Sequence, residues 1–156
     1  MSTGQSLRYK RILVPLDGSG FAELALPHAA EIAHRMEGSL ILVQVVPPYA
    51  LMLPTDGTTV PELAELQEQL RRQAEEYMRA RAGELRGQGL DVKAIVVEGA
   101  PVADQIIDLA QAEEADLVVM STHGRSGLGR WVYGSVARKV LSGAHCPVLL
   151  IRAQQA

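Results

Sequence analysis

The sequence predicts an α/β fold, a five-stranded parallel sheet with helices on both faces. Three observations carry the prediction. Short apolar runs rich in β-branched residues alternate with longer stretches of helical period, in the order βαβαβαβαβ. Those runs stay apolar on consecutive residues, the pattern of strands buried on both faces. The 156 residues suit a single domain over 1–156, with a core over about 8–152, large enough to cover both sides of such a sheet.

Each element has its own justification. "RILVPLD" (11–17) is a first strand closed by a polar turn. In the next stretch Leu24, Ala25, His28, Ile32 and Met36 recur at helical spacing, and Gly38 is a natural stop. Pro27 lies near the first turn of that helix, where a missing N–H costs little. "SLILVQVV" (39–46) is a second strand, ended by Pro47-Pro48. Residues 48–58, with Pro54 and Gly57, have no period and are expected to be the most mobile internal segment, with Leu51, Met52 and Leu53 available as a lid. Pro61 opens a long helix whose apolar stripe runs through Leu63, Leu66, Leu70, Ala74, Tyr77, Met78, Ala82 and Leu85. "GLDVKAIVVEG" (89–99) is a third strand, and residues 101–115 a third helix with Pro101 at its start. "DLVVMS" (116–121) is a fourth strand, "SVARKVLSG" (135–143) a fourth helix capped by Gly143, and "CPVLLIR" (146–152) a last strand.

Composition narrows the function. Net charge is −3 and aromatic residues make up 4%, which excludes a wholesale electrostatic or stacking grip on nucleic acid. No apolar run approaches the ~18 residues of a membrane helix, and "MSTGQSLRYK" lacks the apolar core of a signal peptide. Cys146 is the single cysteine, so no intramolecular disulfide or cysteine metal cluster forms, and a reducing, cytoplasmic setting is expected. The charge is unevenly spread. All 18 Asp and Glu lie within residues 1–116, while Arg125, Arg130, Arg138, Lys139 and Arg152 follow, so the last forty residues carry +5 and the rest −8. A locally positive third in an acidic chain points to a small bound anion.

The anion has an obvious seat. Residues 121–135, "STHGRSGLGRWVYGS", place four glycines between the fourth strand and the fourth helix. Backbone N–H groups at a helix start bind phosphate, and glycine lets the chain approach closely. Ser135 serves as N-cap or as a hydroxyl donor, and Val136 supplies a further free N–H. A parallel sheet of this kind binds ligands beyond the carboxyl ends of its strands, where Asp17, Val45, Val46 and the glycine-rich loop all lie. Neither a P-loop nor a dinucleotide fingerprint is present.

With the element order, this loop resembles the universal stress proteins, a family of Rossmann-like, adenine nucleotide alpha hydrolase-like fold. Their nucleotide-binding members carry Gly-x-x-Gly, nine residues, then Gly-Ser or Gly-Thr. Here Gly124 is followed by nine residues and Gly134-Ser135, with Ser121 in place of the first glycine. The resemblance covers about residues 8–152. It implies ATP, with ADP or AMP as alternatives, and Mg²⁺ carried by the nucleotide. It implies Asp17, in a turn shaped by Pro15, near ribose, phosphates and metal. It implies Val45 at adenine through its backbone, Met120 beside base or sugar, and Thr122, His123, Gly124, Arg125, Gly127, Gly134, Ser135 and Val136 around the phosphates. It also extends to this chain a homodimer through the apolar last strand, 147–151.

Other readings stay open on the residues themselves. Asp17 also suits a helix cap, His123 could pack against strand ends, and Arg125 and Arg130 could be solvated. His28, His34 and His145 have no metal spacing with one another or with Cys146, itself best read as a small buried hydrophobe. The leading expectation is a cytoplasmic ATP-binding stress or regulatory protein. The alternatives are a slow ATPase or an enzyme autophosphorylated at Ser126 or Ser135, and a nucleotide-free interaction protein.

Overall fold

The computed structural model describes residues 7–49, 60–122 and 134–153. Strands β1 (Arg11–Leu16), β2 (Ser39–Val46), β3 (Asp91–Glu98), β4 (Leu117–Thr122) and β5 (Val148–Arg152) form one parallel sheet in the order β3-β2-β1-β4-β5. Helices α1 (Gly20–Glu23), α2 (Ala25–Met36), α3 (Val60–Gly87), α4 (Val102–Ala112) and α5 (Ser135–Gly143) connect them. This is the predicted α/β architecture.

Two cores flank the sheet because successive strand residues face opposite ways. Ile12, Val14, Leu16, Leu40 and Leu42 pack with Ala29, Ala33, Met78 and Ala82 of α2 and α3. Leu13, Ile41, Val43 and Val45 pack with Ala103, Ile106, Ala137 and Val140 of α4 and α5. The long α3 joins the core through the second half of its predicted stripe, where Ala74, Met78, Ala82 and Leu85 are buried.

The strand order reverses between β1 and β4. β1 pairs with β2 along its whole length, Arg11 with Ser39 through Leu16 with Gln44. With β4 it pairs only at Ile12–Leu117 and Leu13–Val118. The two strands therefore part company toward their carboxyl ends, which opens a crevice at the switch point.

Local details depart from the sequence reading. The first helical stretch is two helices, broken at Leu24. Pro27, the third residue of α2, has no N–H for the Glu23 carbonyl and its ring crowds that oxygen, so the helix restarts. The face α2 buries is Ala25, Ala29, Ala30 and Ala33, whereas Leu24 is 42% exposed and His28 is exposed. Small side chains let the helix lie close to the sheet, and alanine stands out poorly in an apolar period.

Two glycines read as helix stops are there for space. At the end of α2 the left-handed residue is Glu37, at φ 53°, and the Gly38 N–H reaches Ala33 O at 2.9 Å. A Cβ on Gly38 would stand 2.6 Å from the Tyr9 carbonyl oxygen. Gly143 is the last residue of α5, not its cap, and a Cβ there would meet Ile107 Cδ1 at 2.6 Å. It lets α5 nest against α4.

Candidate functional site

The site grows from the carboxyl end of β1. Asp17 leaves the strand exposed, and Gly18 follows at φ +85°, a left-handed conformation that favours glycine. This turn brings Ser19 back onto the carboxylate. Its N–H and its hydroxyl both donate to Asp17 Oδ1, at 2.9 and 2.5 Å. The same Ser19 Oγ accepts the Ala22 N–H at 3.2 Å and caps α1. The helix cap is thus Ser19, and Asp17 orients the cap.

Across the crevice α5 begins. Gly134 is its N-cap, with extended backbone at φ −52°, ψ 151°, and its carbonyl accepts the Arg138 N–H at 3.0 Å. Any residue adopts that conformation, and glycine is also a favoured N-cap. The N–H groups of Ser135, Val136 and Ala137 open the helix, where no intrahelical acceptor exists for them. No acidic residue lies in the first turn of α5, so the positive end of the helix dipole is uncompensated by a carboxylate within that turn.

Two adjoining hollows occupy the crevice. One, of about 400 Å³, is lined by Asp17, Ala22, Met120, Ser121, Gly134 and Ser135 among others. The other, of about 590 Å³, reaches over the end of β2 to Val45, Val46 and Gln44 and to Leu70, Ala74 and Tyr77 of α3. Pro15, Leu16, Asp17, Val102, Ile106 and Val136 line both. Each falls within the size range of small-ligand sites, and the walls are mostly apolar.

The structure brings together Pro15, Asp17, Val45, Met120, Gly134, Ser135 and Val136 of the candidate residues. Thr122 is buried at the end of β4, 8% exposed, and lines neither hollow. His123, Gly124, Arg125 and Gly127 lie outside the described residues, as do the lid candidates Leu51, Met52 and Leu53. Sequence reading missed Val102 and Ile106, which α4 presents from below, and Tyr77, which α3 brings to the rim. Ile106 carried a signal as an inward residue of its helix. Nothing in the sequence relates Tyr77 to Asp17, sixty residues away.

Tyr77 is anchored in a polar cluster. Its hydroxyl donates to Glu23 Oε1 at 2.8 Å, Arg81 stands 3.6 Å from the same oxygen, and the guanidinium lies 5.9 Å from the ring centroid. Burial, then the Glu23 carboxylate, pushes the phenol well above its ordinary value. The cluster ties α1 to α3 at the edge of the larger hollow.

The chemistry these walls allow is selective. Asp17 is the one carboxylate among the described lining residues, which suits a hydrated divalent cation held chiefly by a ligand's own oxygens. No group of three or more His, Cys, Asp or Glu suited to a metal ion occurs among the described residues. An apolar slot over β2 and α3, next to N–H groups at a helix start that have no intrahelical acceptor, matches a ligand with a flat apolar body and an anionic tail.

The sequence profile of the universal stress protein family matches residues 8–152. The chain belongs to the universal stress protein family. Among curated relatives, a universal stress protein of Methanocaldococcus jannaschii is 35% identical over 150 residues, covering 96% of this chain and 85% of its own. Among solved structures, a second protein of that organism superimposes with a TM-score of 0.81 at 30% identity, covering 96% of this chain and all of its own. A universal stress protein solved in complex with cAMP shares the fold, with a TM-score of 0.70 at 23% identity over 95% of this chain and all of its own. In this universal stress protein Ser121, at the first motif position, donates its hydroxyl to the Phe21 carbonyl. That bond ties the end of β4 to α1, a task glycine has no group for.

Proposed function

We propose that this universal stress protein is a cytoplasmic regulatory protein that binds ATP with Mg²⁺, the nucleotide acting as a ligand whose presence alters contacts with partners. The observation that carries this reading is the start of α5, Gly134–Ser135–Val136, which faces the Asp17 turn across a hollow walled, apart from Ser121, by apolar side chains. The helix start suits phosphates. Asp17 suits the ribose or the hydrated metal, and the slot over Val45 and Val46 suits the base. The relative solved with cAMP gives this reading support, since the same fold there holds an adenylate.

The proposal extends to residues 1–156 as one domain, with His123, Gly124, Arg125 and Gly127 as further proposed phosphate contacts. No helix among the described residues is long and apolar enough to cross a membrane, in keeping with a protein that acts in solution. We also propose a homodimer through β5, on the contrast between the sheet's two edges. β3 guards its edge with Asp91, Lys93 and Glu98, whereas β5 offers Val148–Ile151 without a charge and Leu149 is 37% exposed.

Native mass spectrometry of the freshly purified protein tests the reading, with titration calorimetry using MgATP. A protein that retains no adenine nucleotide and binds none at millimolar concentration does not have the function proposed. Sedimentation at micromolar concentration tests the dimer, which a single monomeric species removes.

A further inference from the structure

The hydroxyl of Ser19 has its hydrogen bonds assigned on both sides. It lies against Oδ1 of Asp17, which also takes the Ser19 N–H, and its oxygen faces the Ala22 N–H at 3.2 Å. A main-chain N–H only donates and an ionised carboxylate only accepts. The single hydroxyl hydrogen is therefore committed to Asp17. Ser19 also stands on an anchored base, because it opens α1 and α1 is held from two directions. The Phe21 carbonyl takes the Ser121 hydroxyl from β4, and Glu23 takes the Tyr77 hydroxyl from α3 at 2.8 Å. Asp17, by contrast, is exposed, on a turn that runs through Gly18 at φ +85°.

We propose that Ser19 is a positioning residue for the ligand-facing carboxylate, holding the Asp17 side chain in the orientation from which it lines both hollows. The inference rests on the nucleotide reading above and adds to it the group that presents Asp17 to the ligand. An exposed carboxylate on a glycine turn moves between rotamers, and a ligand that uses it must first arrest it. Two donors from one residue on one oxygen arrest it beforehand. They restrain both side-chain torsions and so set the direction of the second oxygen. Binding then costs less side-chain freedom. Ser19 itself lines neither hollow, so its effect on a ligand passes through Asp17.

The test is a double-mutant cycle in MgATP affinity, measured by calorimetry on the full chain with Asp17→Ala, Ser19→Ala and both changes together. Ser19→Ala should weaken binding by about three- to tenfold, the cost of arresting one side chain at the moment of binding. In the Asp17→Ala background the same change should weaken it by less than about twofold. Ser19→Thr keeps the hydroxyl and an N-cap residue, and should bind within about twofold of the parent. Ser19→Gly removes the hydroxyl but leaves a favoured N-cap residue, so it repeats the comparison with the helix start supported. A Ser19 effect of equal size in both backgrounds overturns the assignment, because the residue then acts by supporting the fold. Parental affinity in Ser19→Ala or in Asp17→Ala also overturns it, and leaves nucleotide binding standing. A wild type that binds no MgATP removes the assignment together with the reading it rests on.

Discussion

The Ser121 hydroxyl donates to the Phe21 main-chain oxygen, so the end of β4 is fastened to α1 at a point one hundred residues back in the chain. Ser121→Ala should lower stability by about 1 kcal/mol, the net value of one such bond. Urea denaturation followed by circular dichroism measures it. MgATP affinity should stay within about threefold of the parent, since the bond supports the wall and no lost group faces the phosphates. A stability equal to the parent's shows that the bond contributes nothing.

The three residues around the proposed phosphate seat should differ in the damage their loss causes. Gly134→Val places a β-branched side chain where the proposed phosphates would come close to the backbone, and should abolish MgATP binding with the circular dichroism spectrum retained. Asp17→Ala should cost less, since it would remove the proposed contact to sugar or metal-bound water, worth about 1–3 kcal/mol, or roughly 5–150-fold in affinity. Ser135→Ala should be mildest, because main-chain N–H groups remain. Calorimetry gives the ranking, and a folded Gly134→Val protein with parental affinity removes the loop from the site.

Gly38→Ala tests whether packing or conformation explains that glycine. Its new Cβ would lie 2.6 Å from the Tyr9 oxygen and 3.2 Å from Lys10 Cα. The backbone entering β1 must move, at the expense of the Ser39 N–H bond to Lys10 O, now 2.8 Å. A loss of about 1–3 kcal/mol in urea denaturation is expected. A neutral result means that the amino end of β1 yields freely.

Alkaline pH should expose the Tyr77–Glu23 bond. The folded phenol is raised above its ordinary value of 10.0. Its contribution is therefore complete below that pH and is lost as pH rises above it, when the unfolded chain ionises first. Urea midpoints at pH 8 and at about pH 11 should fall further for the wild type than for Tyr77→Phe, which has no proton to lose there. Equal falls place the alkaline loss in other groups.

The legible and illegible parts of this protein divide by the range of the interactions that decide them. Five strands were readable because Ile12–Leu16 or Leu117–Met120 announce burial on both faces within a few residues. The switch-point crevice followed from element order, and with it Asp17, Val45 and Gly134. The break at Leu24 needed the Pro27 ring set against a carbonyl four residues back. The reasons for Gly38 and Gly143 lie at Tyr9 and Ile107, in other elements. The capping role of Ser19 depends on the left-handed turn at Gly18, and the place of Tyr77 depends on how α3 crosses the sheet.

The sparse pairing of β1 with β4 makes that seam the weakest line across the sheet. On one side stand β1, β2 and β3, built from the first hundred residues. On the other stand β4 and β5, which follow Asp116, the last acid in the chain. A ligand seated between the Asp17 turn and the start of α5 would touch both flanks at once. Its binding should therefore slow backbone hydrogen exchange on both sides of the seam, in β1 and in β4 alike.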